Sequence, residues 1–217
     1  MNKDKLLIWG CGGMGREVAA LCDILGREVA GFLDERPEMN GQVVEGIPVF
    51  GDLKSFEKYR EEFAVVCAGV GDPHLKKKFA NITASQGFRL SEALVHPSVH
   101  IPENTELGLN CILCAGSIVS IHVRIGSFVI VNTNVTLAHD VSVASYATIS
   151  PGVNVSGNVQ IEEGVFLGTG SSIREKVKIG AWSVIGGGAF VRSDVPPQML
   201  YAGVPAVFKK AIVRPKG

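Results

Sequence analysis

The chain has 217 residues, enough to bury a core in one domain or two. Lysine plus arginine (21) equals aspartate plus glutamate (21), which excludes the basic field that nucleic acid or an anionic membrane surface calls for. Residues 1–7 are charged where a signal peptide needs an apolar core, no run reaches membrane-spanning length, and five cysteines is an odd count, so reduced thiols in the cytoplasm are expected.

Residues 1–92 read as a βαβ unit. Lys5 to Trp9 is an apolar strand, followed by the glycine-rich turn Gly10-Cys11-Gly12-Gly13-Met14-Gly15 and a helical pattern from Arg16 to Leu25. A second strand, Val29 to Leu33, ends in Asp34 and Glu35. Leu53 to Glu61 reads as helix, Phe63 to Cys67 as a third strand closed by Ala68-Gly69, and Pro73 to Ser85 as a further helix. The GxGxxG spacing at the first strand–helix junction lets backbone amides approach a diphosphate. An acidic residue ending the second strand can accept hydrogen bonds from a ribose or a base. A dinucleotide needs two such halves, and only one precedes the change of pattern near residue 93. The expected ligand is therefore a mononucleotide diphosphate.

From Val95 to Val191 every sixth residue is Val, Ile or Leu, and the residue four further on is small or β-branched nearly every time. Neither a helical period of 3.6 nor simple strand alternation generates this pattern. A strict period of six is that of a parallel β-helix with one inward aliphatic residue per flat face. Three hexads make one coil of about 18 residues, so residues 93–195 form a prism of roughly five coils. Cys111 and Cys114 make a lone CxxC within the repeat, with no second pair to complete a metal site, and read as packing residues. Residues 196–217 leave the repeat through Pro196-Pro197, pass Gly203-Val204-Pro205-Ala206, and are expected to fold back along the prism.

Within the hexad 137–142, Leu137 and Val141 point inward, which leaves His139 and Asp140 at an outer corner. One coil on, at a strand spacing of about 4.8 Å, lies Gly157; one coil back from Asp140 lies His122. An imidazole beside a glycine amide can serve acyl transfer. The ring takes a proton from an attacking amine, and the N–H stabilises the oxyanion from a thioester carbonyl.

The half-Rossmann start, the unbroken hexads, the Asn132…His139-Asp140 run and the terminal Gly203-Val204-Pro205-Ala206 resemble bacterial nucleotide-sugar acetyltransferases of the hexapeptide superfamily. The type most similar acetylates UDP-linked 4-amino-sugars, as in bacillosamine synthesis, and relatives act in sialic acid, perosamine and other surface-glycan pathways. The resemblance implies a left-handed β-helix, a homotrimer, and acetyl-CoA bound between neighbouring prisms, with no metal. It implies His139 as general base, Asp140 as its orienting carboxylate and Gly157 as the oxyanion amide. Thr148, Gly157, Thr169 and Gly187 are carried over as cofactor contacts. Gly12, Gly13, Met14, Asp34, Glu35, Gly69 and Asn132 are carried over as nucleotide-sugar contacts. Two positions depart from the family, which often has histidine where this chain has Met14 and Thr148.

Rival classes remain to be distinguished. A zinc hydratase on the same prism needs three converging histidines; of His74, His96, His100, His122 and His139, only the last two lie well inside the repeat. A sialic acid O-acetyltransferase and a non-catalytic nucleotide-sugar scaffold are the other two.

Overall fold

The computed structural model describes residues 5–213. The first part is a sheet with the order β3-β4-β2-β1-β5-β6. Its strands are β1 (Lys5–Trp9), β2 (Val29–Leu33), β3 (Val43–Val44), β4 (Ile47–Phe50), β5 (Phe63–Val66) and β6 (Arg89–Leu90). All neighbours run parallel except β3 and β4, which form an antiparallel hairpin. Helices α1 (Gly13–Ile24) and α2 (Pro73–Ser85) carry the crossovers. Apart from Lys5, which opens β1, the central strands are apolar, and they are buried over most of their length, as parallel strands under helices require.

Two local expectations change. Helix α1 begins at Gly13, inside the glycine turn, rather than at Arg16. The segment Leu53–Glu62 is 3₁₀ rather than α-helical, with a non-helical break at Tyr59. Leu53 and Phe56 are three residues apart, a spacing that eclipses on a three-residue turn and seats both against the sheet. The Asp52 carboxylate caps its start, accepting from Lys54 N–H at 2.9 Å.

The second part is a three-faced parallel β-helix whose two-residue strands pair with the strand 18 residues on. The first face runs through Ile112–Leu113, Ile130–Val131, Thr148–Ile149, Phe166–Leu167 and Val184–Ile185. The second contains Ile118–Val119, Thr136–Leu137, Asn154–Val155, Ser172–Ile173 and Phe190–Val191. The third contains Glu106–Leu107, Arg124–Ile125, Ser142–Val143, Gln160–Ile161 and Lys178–Ile179. The inward aliphatic residues from Val119 to Val191 are buried and stack as one continuous core. Each contributes about 1.5–3 kcal/mol of burial.

The corners carry a second period of six. Asn110, Gly116, His122, Phe128, Asn134, Asp140, Tyr146, Gly152, Asn158, Gly164, Gly170, Lys176, Trp182 and Gly188 all have positive φ. Asparagine, aspartate and glycine adopt this region most readily, and they hold nine of these corners.

The first domain lies on the first face of the prism. Leu94, Ile112, Cys114 and Ile130 project outward from that face into the core beneath α1. Phe128 and Tyr146 stack on each other at 4.9 Å at the adjoining corner and join the core around Trp9 and Phe79. After Val195 pairs with Ile179, strands Met199–Ala202 and Val207–Ala211 form a hairpin against the last coil. The five cysteines are free thiols, all buried. Cys111 donates to the Gly126 carbonyl at 2.9 Å.

Candidate active site

All the sequence-derived site residues except Thr148 fall in three places. The first is a cleft of about 420 Å³ at the carboxyl ends of β1, β2 and β5, bordered by Gly12, Gly13, Met14, Glu35 and Gly69 among others. The glycines there do different things. A Cβ on Gly15 would lie 1.9 Å from the Gly10 carbonyl oxygen, and one on Gly69 would lie 2.3 Å from that of Trp9. These two let α1 and the loop after β5 close on β1. Gly12 and Gly13 have nothing within 4 Å of an added Cβ, so the turn is open where a ligand would approach. The first turn of α1 has neither a side-chain cap nor an acidic residue. Its N–H groups and the positive end of its dipole are therefore left for an anion such as a diphosphate.

Asp34 does not have the free carboxylate that the sequence led us to expect. It is 7% exposed. Its Oδ2 accepts from Cys11 N at 3.2 Å, Cys11 Sγ at 3.1 Å and Arg36 Nη2 at 2.8 Å, and its Oδ1 accepts from Arg36 N at 3.2 Å and Arg36 Nε at 2.8 Å. The bound Arg36 guanidinium holds this carboxyl far below the usual carboxylate range. The ring of partners fills the roughly four lone-pair sites a carboxylate offers. Asp34 orders the turn and Arg36, and it borders the cleft together with Glu35 and Arg36.

The second place is the corner between the second and third faces. His139 Nδ1 lies 2.8 Å from Asp140 Oδ2, and the His139 side chain is 56% exposed. The positive φ of Asp140 (59°) turns the chain so that these consecutive side chains meet. In the tautomer whose Nδ1–H donates to Asp140 Oδ2, Nε2 presents its lone pair to solvent. The other oxygen, Oδ1, is 3.5 Å from His122 Nδ1, one coil back. Hydrogen bonding to His139, and secondarily to His122, holds the Asp140 carboxyl below its ordinary value. Gly157 lies under the ring: a Cβ there would be 2.5 Å from His139 Cε1 and 2.6 Å from Nε2. The Gly157 N–H makes no hydrogen bond among the described residues, whereas its carbonyl accepts from Lys176 N–H. A free amide beside a free imidazole nitrogen is the pairing acyl transfer needs.

The third place is the corner between the second and first faces, which carries Asn132, Thr169 and Gly187. The Asn132 side-chain oxygen accepts from Thr133 N–H at 2.7 Å, and the left-handed corner residue is Asn134, not Asn132. Thr169 and Gly187 are exposed on successive coils, where Gly188 N–H donates to the Thr169 carbonyl at 2.8 Å.

Thr148 lies elsewhere. It is 4% exposed, on the face covered by the first domain. Its hydroxyl donates to the Gly71 carbonyl at 2.7 Å and accepts from Lys76 Nζ at 2.8 Å. Lys76, on α2, is fully buried and also donates to the Ala147 carbonyl at 2.8 Å. Desolvation pulls its amine down to about 7. The hydroxyl of Thr148 is thus committed to the contact between the domains. The sequence reading missed both Lys76 and Arg36, because a lysine or arginine within a charged stretch carries no mark of burial or pairing.

Among the described residues no group of three or more His, Cys, Asp or Glu side chains is placed to hold a metal, and no helix is long and apolar enough to cross a membrane.

Residues 5–82 match the family model of the PglD N-terminal domain, and residues 158–193 match that of the bacterial transferase hexapeptide (six repeats). Among solved structures, PerB from Caulobacter crescentus, in complex with CoA and GDP-perosamine, is 30% identical. It matches over 95% of this chain and 97% of its own, with a TM-score of 0.86. The chain belongs to the hexapeptide nucleotide-sugar N-acetyltransferases. The acetyltransferase domain of PglB from Neisseria gonorrhoeae is 31% identical over 95% of this chain and all of that domain, with a TM-score of 0.86. The same domain has been solved with acetyl coenzyme A. WeeI from Acinetobacter baumannii, 23% identical, shares the fold over 95% of this chain and all of its own at a TM-score of 0.85. No curated protein sequence matches the chain. With this membership the acetyltransferase's architecture is an α/β half-Rossmann domain followed by a left-handed β-helix, and its reaction class is acetyl-CoA-dependent N-acetylation of a nucleotide-linked amino-sugar.

Proposed function

We propose that this acetyltransferase acts on the 4-amino group of a nucleoside diphosphate-linked sugar, with UDP as the expected carrier and His139 as general base. The observation that carries the proposal is the His139 corner: Nδ1 is on Asp140, Nε2 is open, and an unpaired Gly157 amide lies beside it. The neutral amine attacks the thioester carbon while His139 Nε2 takes its proton. The carbonyl oxygen becomes an oxyanion held by the Gly157 N–H. Collapse breaks the carbon–sulfur bond, the proton passes from His139 to the departing sulfur, and the products are the N-acetyl sugar and CoA thiol. Among the described residues no cysteine or serine side chain is hydrogen-bonded to His139, which supports direct transfer without an acyl-enzyme.

One chain does not complete this site by itself. The diphosphate cleft belongs to the domain seated on the first face, whereas His139 occupies the corner opposite that face. A neighbouring copy must bring its His139 to the sugar. The outward residues of the second face, Ile118, Thr136, Asn154, Ser172 and Phe190, carry no charge, unlike Glu106, Arg124 and Lys178 on the third. Ile118 is 60% exposed in the single chain. We therefore place the second face in a homotrimer interface, with acetyl-CoA between one chain's His139 corner and its neighbour's Thr169 and Gly187. The reaction belongs in the cytoplasm, where acetyl-CoA and nucleotide sugars are supplied.

The test is release of CoA thiol from acetyl-CoA with UDP-, GDP- and dTDP-linked 4-amino-sugars, beside a sialic acid. Turnover of a UDP-linked amino-sugar is the expected result. Turnover only of a GDP- or dTDP-linked one corrects the carrier. Turnover only of the sialic acid refutes the amine acceptor, and binding of a nucleotide sugar without turnover of any acceptor refutes catalysis.

A further inference from the structure

One wall of the cleft is the loop after β5, where Gly69, Val70, Gly71 and Asp72 border the space. The loop touches the glycine turn: a Cβ on Gly10 would lie 2.6 Å from Val70 Cγ1 and 2.9 Å from the Gly69 carbonyl oxygen. The position of this loop therefore sets the shape of the cleft.

The prism holds the loop through a closed run of hydrogen bonds. Thr148 Oγ1 donates to the Gly71 carbonyl at 2.7 Å, and Lys76 Nζ donates to Thr148 Oγ1 at 2.8 Å. Lys76 Nζ also donates to the Ala147 carbonyl at 2.8 Å, and the Lys76 N–H returns to the Asp72 carbonyl at 3.1 Å. Both side chains are buried. Breaking these bonds would leave buried polar groups unpaired, so they restrain the loop more firmly than contacts at the surface do. Neither side chain borders the cleft, and the transfer step uses neither.

The number of donors also matters. A neutral amine has two N–H groups, and Lys76 Nζ has two acceptors among the described residues; an ammonium would bring a third N–H. The titratable groups that face Lys76 are Cys111 on the prism and Asp72 at the start of its own helix. Burial pushes the Cys111 thiol up to about 11, so it carries no charge at neutral pH. The Asp72 carboxylate caps α2, accepting from His74 N–H at 2.7 Å and Leu75 N–H at 3.1 Å.

We infer that Lys76 and Thr148 are positioning residues for the nucleotide-sugar cleft, holding loop 69–72 against the prism, and that they do so with the lysine amine neutral. The inference rests on the reading of the cleft as the nucleotide site.

The experiment is calorimetric titration of the full-length protein with UDP, GDP and dTDP, and separately with acetyl-CoA, on wild type, Thr148→Val, Thr148→Ser and Lys76→Met. Valine keeps the shape of threonine without its hydroxyl, whereas serine keeps the hydroxyl. For the nucleotide that wild type binds best, Thr148→Val should weaken binding about tenfold, the order of one buried hydrogen bond, and Thr148→Ser should restore most of it. Acetyl-CoA affinity should stay unchanged. Wild type should also lose about tenfold in nucleotide affinity from pH 8 to pH 6 relative to Lys76→Met, because below about 7 binding to the neutral-amine form must first release a proton. Comparison in the same buffers cancels the titration of the nucleotide's own phosphate.

Weakening of acetyl-CoA instead of nucleotide would make Thr148 a cofactor contact and overturn the inference. Equal weakening of both ligands would mark a general loosening of the fold and overturn it too. So would unchanged nucleotide affinity in Thr148→Val, or parallel pH curves for wild type and Lys76→Met. Wild type that binds none of the three nucleotides would overturn the reading of the cleft, and the inference with it, before any variant is compared. Melting curves accompany each titration; if Thr148→Val does not fold, the pH comparison decides.

Discussion

Gly157→Ala is the sharpest perturbation the His139 corner offers. An alanine Cβ at this position would stand 2.5 Å from His139 Cε1, 2.6 Å from Nε2 and 3.1 Å from Nδ1. Carbon atoms in ordinary contact are about 3.5–4.0 Å apart, so the ring must move by about 1 Å. It has somewhere to go, because the side chain is 56% exposed, and the cost to the fold should stay below about 1 kcal/mol. The cost to the reaction is larger. The 2.8 Å contact to Asp140 is lost or bent, and a base misplaced by about 1 Å forfeits about 10²-fold in rate, or about 2.7 kcal/mol of barrier. Alanine keeps the backbone N–H, so the oxyanion donor survives and the loss reads the position of the imidazole. The assay is CoA thiol release at saturating acetyl-CoA, with a thermal melt to show an intact fold. A variant that melts normally and turns over within twofold of wild type would refute the packing of His139 on Gly157 as a catalytic requirement.

Two further predictions concern the whole molecule. Burial pulls Lys76 down to about 7 from 10.5, so between these values the native state binds fewer protons than the unfolded chain and stability rises with pH. The urea midpoint of wild type should therefore climb relative to that of Lys76→Met from pH 7 toward 10; parallel curves would show that the amine titrates normally. Because the cleft and His139 lie on opposite sides of one chain, Gly12→Phe and His139→Ala subunits should complement. Co-expressed in equal amounts they should recover about a quarter of the wild-type rate, since a working site needs a sound cleft from one variant and a sound histidine from the other. A mixture as inactive as its components would place both halves of the site in the same chain.

How much of this the sequence discloses depends on whether a feature repeats. The inward aliphatic landings from Val95 to Val191 specify the prism, because each is the same physical demand made once per face. The left-handed corners form a second register, from Asn110 to Gly188, that is equally periodic yet harder to see. Phe128, Tyr146, Lys176 and Trp182 occupy corners where asparagine or glycine would have marked the turn. His139 and Gly157 could be paired by counting one coil because the strands are in register at 18 residues. Asp34, Arg36, Lys76 and Thr148 could not be read this way. Their roles depend on which face of the prism the first domain covers and which lone pairs are already filled, and spacing records neither. The helix expected at Leu53–Glu61 became a 3₁₀ segment for a similar reason: three-residue spacing of Leu53 and Phe56 serves a tighter turn as well as it serves an α-helix.

The most direct measurement is kcat/KM of wild type and His139→Ala with acetyl-CoA and the nucleotide-linked amino-sugar that turns over, taken from pH 5 to 9. Loss of about 10² or more in the variant, together with loss of the acid limb of the wild-type profile, is the result expected of a general base at this corner. Equal rates and parallel profiles would leave His139 a surface histidine and contradict the mechanism.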